Sequence, residues 1–259
     1  MRDGSRRCGG LETAGAFAVC SSLQYFLLLH RVKGDSTLRH HLSWGMDTPV
    51  LVHPSIADIG EDDLVELLLA EPIRRRDMFE VFGVPSDASC KTRLLLDSVP
   101  GNFRGDIDVL LCDRDRPHEA VAYEVKRVKF GMSALRAGNN ALPNKLRELD
   151  KAVKQANRLA EAGFWKVFLY IIVVVDSREQ NAGEVTYEGL STRVKSRLET
   201  YLRMDKLDPR VGCCLLDFTQ PMDFLPLMVG SHGMQIRRMA TAQEQSDALT
   251  TWVSGVFAG

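Results

Sequence analysis

The sequence predicts an α/β fold in which helices cover both faces of a mixed sheet. Helix-like and strand-like stretches follow one another in the order helix, three strands, helix, strand, an alternation that layers helices on a sheet. The run from Trp165 to Val175 is continuously apolar and rich in β-branched residues, as a central strand buried on both faces requires. The stretch from about Asn144 to Ala162 spaces Leu146, Leu149, Val153, Ala156 and Ala160 by three and four, with Gly163 where a helix is capped.

Each element has a local cause. Glu61, Asp62 and Asp63 follow Asp58 and Gly60 and suit the positive end of a helix dipole. Leu64, Leu67 and Leu68 continue that helix, and Pro72 stops or bends it. A short helical or irregular segment from Phe79 to Phe82 ends at Gly83 and Pro85. Three strands are then expected: Arg93 to Val99, Asp106 to Cys112, and Ala120 to Val128. The connector from Asp113 to His118 reads as a hairpin turn between the last two. A helix at about Glu188 to Met204 and a strand from Val211 to Phe218 extend the pattern. A last short helix between Ala242 and Val256 packs Leu249, Trp252, Val253 and Val256 onto the domain.

A chain of 259 residues can hold one large domain with an ample core. The expected domain spans residues 46–259, with a core at about 61–176 and a C-terminal elaboration over 177–259. Ahead of it, Arg2, Arg6 and Arg7 precede an apolar stretch from Ala14 to Leu29 that superficially resembles a signal peptide. Ser21, Ser22 and Gln24 interrupt it, no small-residue cleavage site follows His30, and it is too short and polar for a membrane span. Residues 1–45 therefore read as a poorly attached extension or a mis-assigned start, and no membrane partner is expected.

Hydrophobic content of 45% and charged content of 26% are ordinary for a globular protein. The net charge of −1 gives no bulk positive field, so any nucleic-acid binding must rest on a local basic patch. The six cysteines form no C-x-x-C pair, and no His-rich stretch completes a zinc signature. Cys112, Cys213 and Cys214 lie in apolar strands as small hydrophobes, which suits a reducing cytoplasm. A P-loop, a G-x-G-x-x-G and a G-x-S-x-G are all missing from the sequence. Nucleotide hydrolysis, dinucleotide binding and serine hydrolase chemistry thus lack support.

The charged residues inside the strands stand out. Alternation puts Asp106 and Asp108 on one face of their strand, with Ile107, Val109 and Leu111 on the other. Glu124 and Lys126 share a face of the next strand. Acids and a lysine within apolar strands are costly to bury unless paired or bound to a metal. Paired as a hairpin, the strands bring Asp108 and Glu124 together, and two converging carboxylates repel unless a cation neutralises them. Hard oxygen ligands of this kind suit Mg²⁺ or Mn²⁺. The competing reading is an ion pair of Lys126 with Glu124 or Asp108 on a solvated face, which carboxylates on opposite sheet faces would favour.

Gly105-Asp106-Ile107-Asp108 followed by Tyr123-Glu124-Val125-Lys126 resembles the PD-(D/E)XK phosphodiesterase superfamily, over about Glu61 to Asp176. That superfamily includes restriction endonucleases and Holliday-junction resolvases. The resemblance implies a restriction-endonuclease-like αβββαβ core. Asp108 matches the aspartate of its second strand, with Ile107 where many members carry proline, and Asp106 is a rival for the role. Glu124 and Lys126 match the (D/E)-x-K of the third strand.

By this resemblance Asp108, Glu124 and the Val125 carbonyl hold Mg²⁺ or Mn²⁺, and Lys126 orients the attacking water or stabilises the transition state. Gln155 matches a glutamine that several groups place near the scissile phosphate. Lys151 and Arg158 lie on the same helical side and, with Lys145, Arg147 and Lys154, can track a phosphate backbone. Glu66 is a further candidate metal ligand. The implied activity is Mg²⁺-dependent hydrolysis of DNA in repair, restriction or defence; many relatives cut duplexes as dimers, which makes a homodimer one option while the sequence leaves the oligomeric state open. The alternative is a catalytically silent nuclease-like module that binds nucleic acid or a partner protein. Arg74-Arg75-Arg76 and Arg237-Arg238 read as solvated positions, and His40-His41 lacks partner ligands.

Overall fold

The computed structural model describes residues 60–70, 75–76, 79–80, 82–85, 87–101, 103–131, 148–176, 198, 201–219 and 230–258. The extension at 1–45, the expected helix start at 144–147 with Lys145 and Arg147, and most of 188–204 lie outside these residues.

Helix α1 spans Glu61–Ala70, with its three acids in the first turn and Leu64 N–H donating to the Gly60 carbonyl at 3.0 Å. Strands β1 (Ser89–Leu95), β2 (Asp106–Cys112) and β3 (Val121–Gly131) follow. Helix α2 (Leu149–Ala162) leads to β4 (Lys166–Asp176), β5 (Gly212–Thr219), β6 (Gly230–Arg238) and helix α3 (Asp247–Ala258). Among the described residues the sheet has six strands in the order β1-β2-β3-β4-β5-β6. The β3–β4 and β4–β5 pairs are parallel and the others antiparallel, so this is a mixed sheet of the α/β class.

Two apolar layers sandwich that sheet. Leu64, Val65 and Leu68 of α1, with Phe79 and Phe82, cover Val109, Leu111, Tyr123, Val125, Phe168 and Tyr170 on one face. Leu149, Val153 and Ala156 of α2 and Leu249 and Val253 of α3 cover Leu110, Ala122, Leu169 and Ile171 on the other. Strand β4 contributes Phe168, Tyr170 and Ile172 to one layer and Leu169, Ile171 and Val173 to the other. Having no solvated face, it reads in sequence as an unbroken apolar run.

The differences from expectation have local causes. β1 begins at Ser89 rather than Arg93 and ends at Leu95. As an edge strand with a partly exposed pattern it carries polar residues that do not read as a strand. Leu96–Ser98 form a 3-10 turn instead, with Val99 N–H donating to the Leu96 carbonyl at 3.0 Å. Strand β6 opens on Gly230 and lacks an apolar alternation that would announce it. The final helix starts five residues later than expected because Gln243 and Gln245 bridge inward first. Gln243 Nε2 donates to the carbonyls of Ala160 and Phe164 at 3.0 and 2.7 Å, and Gln245 Nε2 to that of Pro117 at 2.9 Å. Gly163 caps α2 in the left-handed region at φ 90°. Among the described residues no helix is long and apolar enough to cross a membrane.

Candidate active site

The site lies where β2 and β3 part. Their ladder runs from Leu111–Val121 to Val109–Tyr123 and stops there. One residue further, the Asp108 carboxylate takes the place of a main-chain acceptor, its Oδ2 receiving the Val125 N–H at 2.6 Å. A strand amide points along the sheet toward its neighbour, so this carboxylate occupies the seam between the strands rather than either face.

The alternation expected for β2 breaks here. Val109 and Leu111 pack in the α1-side layer, but Ile107 packs with Leu110 and Cys112 on the α2 side. Ile107 and Val109 therefore do not share a face as the sequence predicts. The cause is across the ladder in β1, where Thr92 pairs with Val109 and Leu94 with Ile107 but Arg93 and Asp108 are not paired. Arg93 has φ 57°, a left-handed conformation costing an L-residue about 1–2 kcal/mol. Strain of this kind tends to be kept at functional sites.

Glu124 lies between Tyr123 and Val125, which both face the α1 layer, so its side chain is directed to the α2 side. It is 4% exposed, and its Oε2 has no hydrogen-bond partner. Lys126 pairs elsewhere. Its Nζ lies 3.1 Å from Glu61 Oε1 and 3.9 Å from Glu148 Oε2. The expected ion pair of Lys126 with Glu124 or Asp108 is thus replaced by one with Glu61.

Glu61 also accepts the Arg127 N–H at 2.6 Å, fixing α1 to the end of β3. The sequence presents it only as a dipole partner of its own helix. Glu66, on the same helix, does not pair with Lys126 and instead takes Arg93 Nη2 at 2.8 Å. On the α2 side, Gln155 Nε2 donates to Asp106 Oδ1 at 2.5 Å. Lys151 and Arg158, also on α2, are exposed, with Arg158 Nη1 3.5 Å from the Arg104 carbonyl.

The electrostatics follow from this crowding. Burial, then the charges of Asp108 and Asp106, push the Glu124 carboxyl up to about 10, with Lys126 opposing. Burial also raises Asp108 to about 7; the Val125 N–H opposes, while Asp106 and Glu61 add to the rise. For Lys126, burial pulls downward, but Glu61, Glu148 and Glu124 outweigh it and hold the ammonium above its ordinary value. At neutral pH the metal-free site keeps a proton on Glu124 and a charge on Lys126.

Among the described residues, no three His, Cys, Asp or Glu side chains are grouped as a ready-made metal site. A cation here would rest on Asp108, Glu124 and the Val125 carbonyl. The donor chemistry fits, since the buried, unpartnered Glu124 oxygen lacks what a hard divalent ion supplies. On the α1 side, a small cleft is lined by Glu61, Asp62, Val65, Thr92, Arg93 and Asp108.

No family model matches the chain, and no curated protein matches it. Among solved structures it is similar to that of Pyrococcus furiosus SfsA in complex with Ca²⁺, at 11% identity and a TM-score of 0.24. The match covers 59% of this chain and spans 55% of that one. A likeness this distant carries no argument about function.

Proposed function

We propose that this chain is a Mg²⁺- or Mn²⁺-dependent nuclease with a restriction-endonuclease-like core, hydrolysing phosphodiester bonds of DNA in a repair, restriction or defence role. One observation carries the reading: a buried Glu124 with an unpartnered oxygen, electrostatically coupled to Asp108 where two strands part. Asp108, Glu124 and the Val125 carbonyl would hold the ion. Such an ion acidifies a bound water and offsets charge developing on the phosphate. Lys126 stays protonated and supplies a point charge for the phosphoryl oxygens, with Glu61 limiting where its ammonium can go. Gln155 fixes Asp106, and the exposed Lys151 and Arg158 offer cations to the DNA backbone on that side.

The second reading, a silent module that binds nucleic acid or protein, draws on the lack of a three-carboxylate group among the described residues. A cleavage assay separates the two. Single-stranded, duplex and branched DNA and RNA are offered with Mg²⁺, Mn²⁺ or EDTA to wild type, Asp108→Ala and Lys126→Ala. Metal-dependent cutting of DNA lost in both variants is expected. Binding without cutting would favour the silent module.

A further inference from the structure

The cleft that reaches Asp108 is hostile to its proposed substrate. Of its lining residues Glu61, Asp62 and Asp108 are acidic, and the cation among them is Arg93. Arg93 stands directly across the β1–β2 register from Asp108, at the interruption both residues create. Its backbone is left-handed at φ 57°, and its side chain is about 50% exposed.

In this state the guanidinium is held by Glu66 at 2.8 Å and Asp62 at 3.5 Å. Both pairs are open to water, the kind that exchanges readily for a better partner. A guanidinium fork matches two phosphate oxygens, and such recognition is stronger than a solvated carboxylate pair.

We propose that Arg93 is a phosphate-binding residue of this cleft, seating the nucleic-acid backbone beside Asp108. This rests on the phosphodiesterase reading above and adds a substrate contact on the α1 side, opposite Lys151 and Arg158. The backbone irregularity then has a role: it delivers a cation to the mouth of an acidic cleft without placing it against the ligands of the ion.

The test is steady-state cleavage of a short DNA duplex with Mg²⁺ by full-length wild type, Arg93→Gly, Arg93→Lys and Glu66→Gln, each also melted thermally. Arg93→Gly is expected to lower kcat/KM roughly tenfold or more, chiefly through KM, as for loss of a charge-assisted hydrogen bond. It should also flatten the dependence of log KM on log salt by about one. Arg93→Lys should restore the salt dependence but not the full KM, because a point charge lacks the fork. Glycine accepts the left-handed backbone, so the glycine variant should melt no lower than wild type. Glu66→Gln frees the guanidinium and should leave kcat/KM unchanged or raised. An unchanged KM in Arg93→Gly, with wild type active, overturns the inference alone. So do a lowered Tm and a raised KM appearing together in both Arg93→Gly and Glu66→Gln, which mark a contact that only seats α1. A wild type that cuts no phosphodiester with any metal overturns the enzymatic reading and this inference with it.

Discussion

Replacing Glu124 by glutamine should make the metal-free protein more stable while abolishing its chemistry. Burial and the neighbouring acids hold the Glu124 carboxyl at about 10, against an ordinary 4.5. Across that window the folded chain keeps a proton that the unfolded chain releases, so native stability falls as pH rises from 4.5 toward 10. Each pH unit costs about 1.4 kcal/mol, which puts the penalty at neutral pH near 3 kcal/mol. The glutamine side chain has nearly the same shape and does not titrate, so the penalty disappears with it. Urea unfolding in EDTA at pH 5, 6, 7 and 8 measures the effect. The advantage of Glu124→Gln over wild type should be small at pH 5 and grow by about 1.4 kcal/mol per pH unit. Parallel stability curves for the two proteins would refute the buried, uncompensated carboxyl on which the site rests.

Three further outcomes follow from the same geometry. Mn²⁺ or Mg²⁺ should raise the Tm of wild type, more at pH 8 than at pH 6 because the ion displaces protons from Asp108 and Glu124. Asp108→Asn and Glu124→Gln should lose that shift, and a wild-type Tm indifferent to either ion would count against the metal site. Glu61→Gln keeps an acceptor for the Arg127 N–H but removes the counter-charge of Lys126, and kcat should fall roughly tenfold. An unchanged kcat would make Glu61 purely structural. Phe168→Ala should cost about 3–5 kcal/mol in urea unfolding. Its ring is fully buried, 4.2 Å from that of Phe82 and 5.5 Å from that of Tyr123, centroid to centroid.

Much of the sheet was legible because local pattern and local burial agree there. β2 has the predicted bounds, and β4 lies within one residue of its apolar run at each end. The site was legible as a list of residues but not as an arrangement. Nothing near Glu61 or Lys126 in sequence tells of a bond between positions 65 apart. The change of faces at Asp108 depends on the φ angle of Arg93 in another strand, and two-residue periodicity assumes an unbroken ladder. Glu61 and Glu66 of α1 look alike in sequence as exposed helix acids. Only packing assigns one to Lys126 and the other to Arg93.

Spatial order in the sheet repeats chain order, so during synthesis each strand can dock on the edge its predecessor has just formed. Among the described residues, no strand has to be threaded between two that are already joined. The residues of the proposed site, from Glu61 to Gln155, all emerge before β5. Until β5 arrives, after residues 177–211, the growing edge is β4, apolar on both faces and open to pairing with another chain. The hazard to this protein in the cell therefore falls on β5 rather than on the strands of the proposed site. Substitutions that weaken β5 are expected to appear as insoluble protein in a fractionated lysate, while the molecules that remain in solution keep full specific activity.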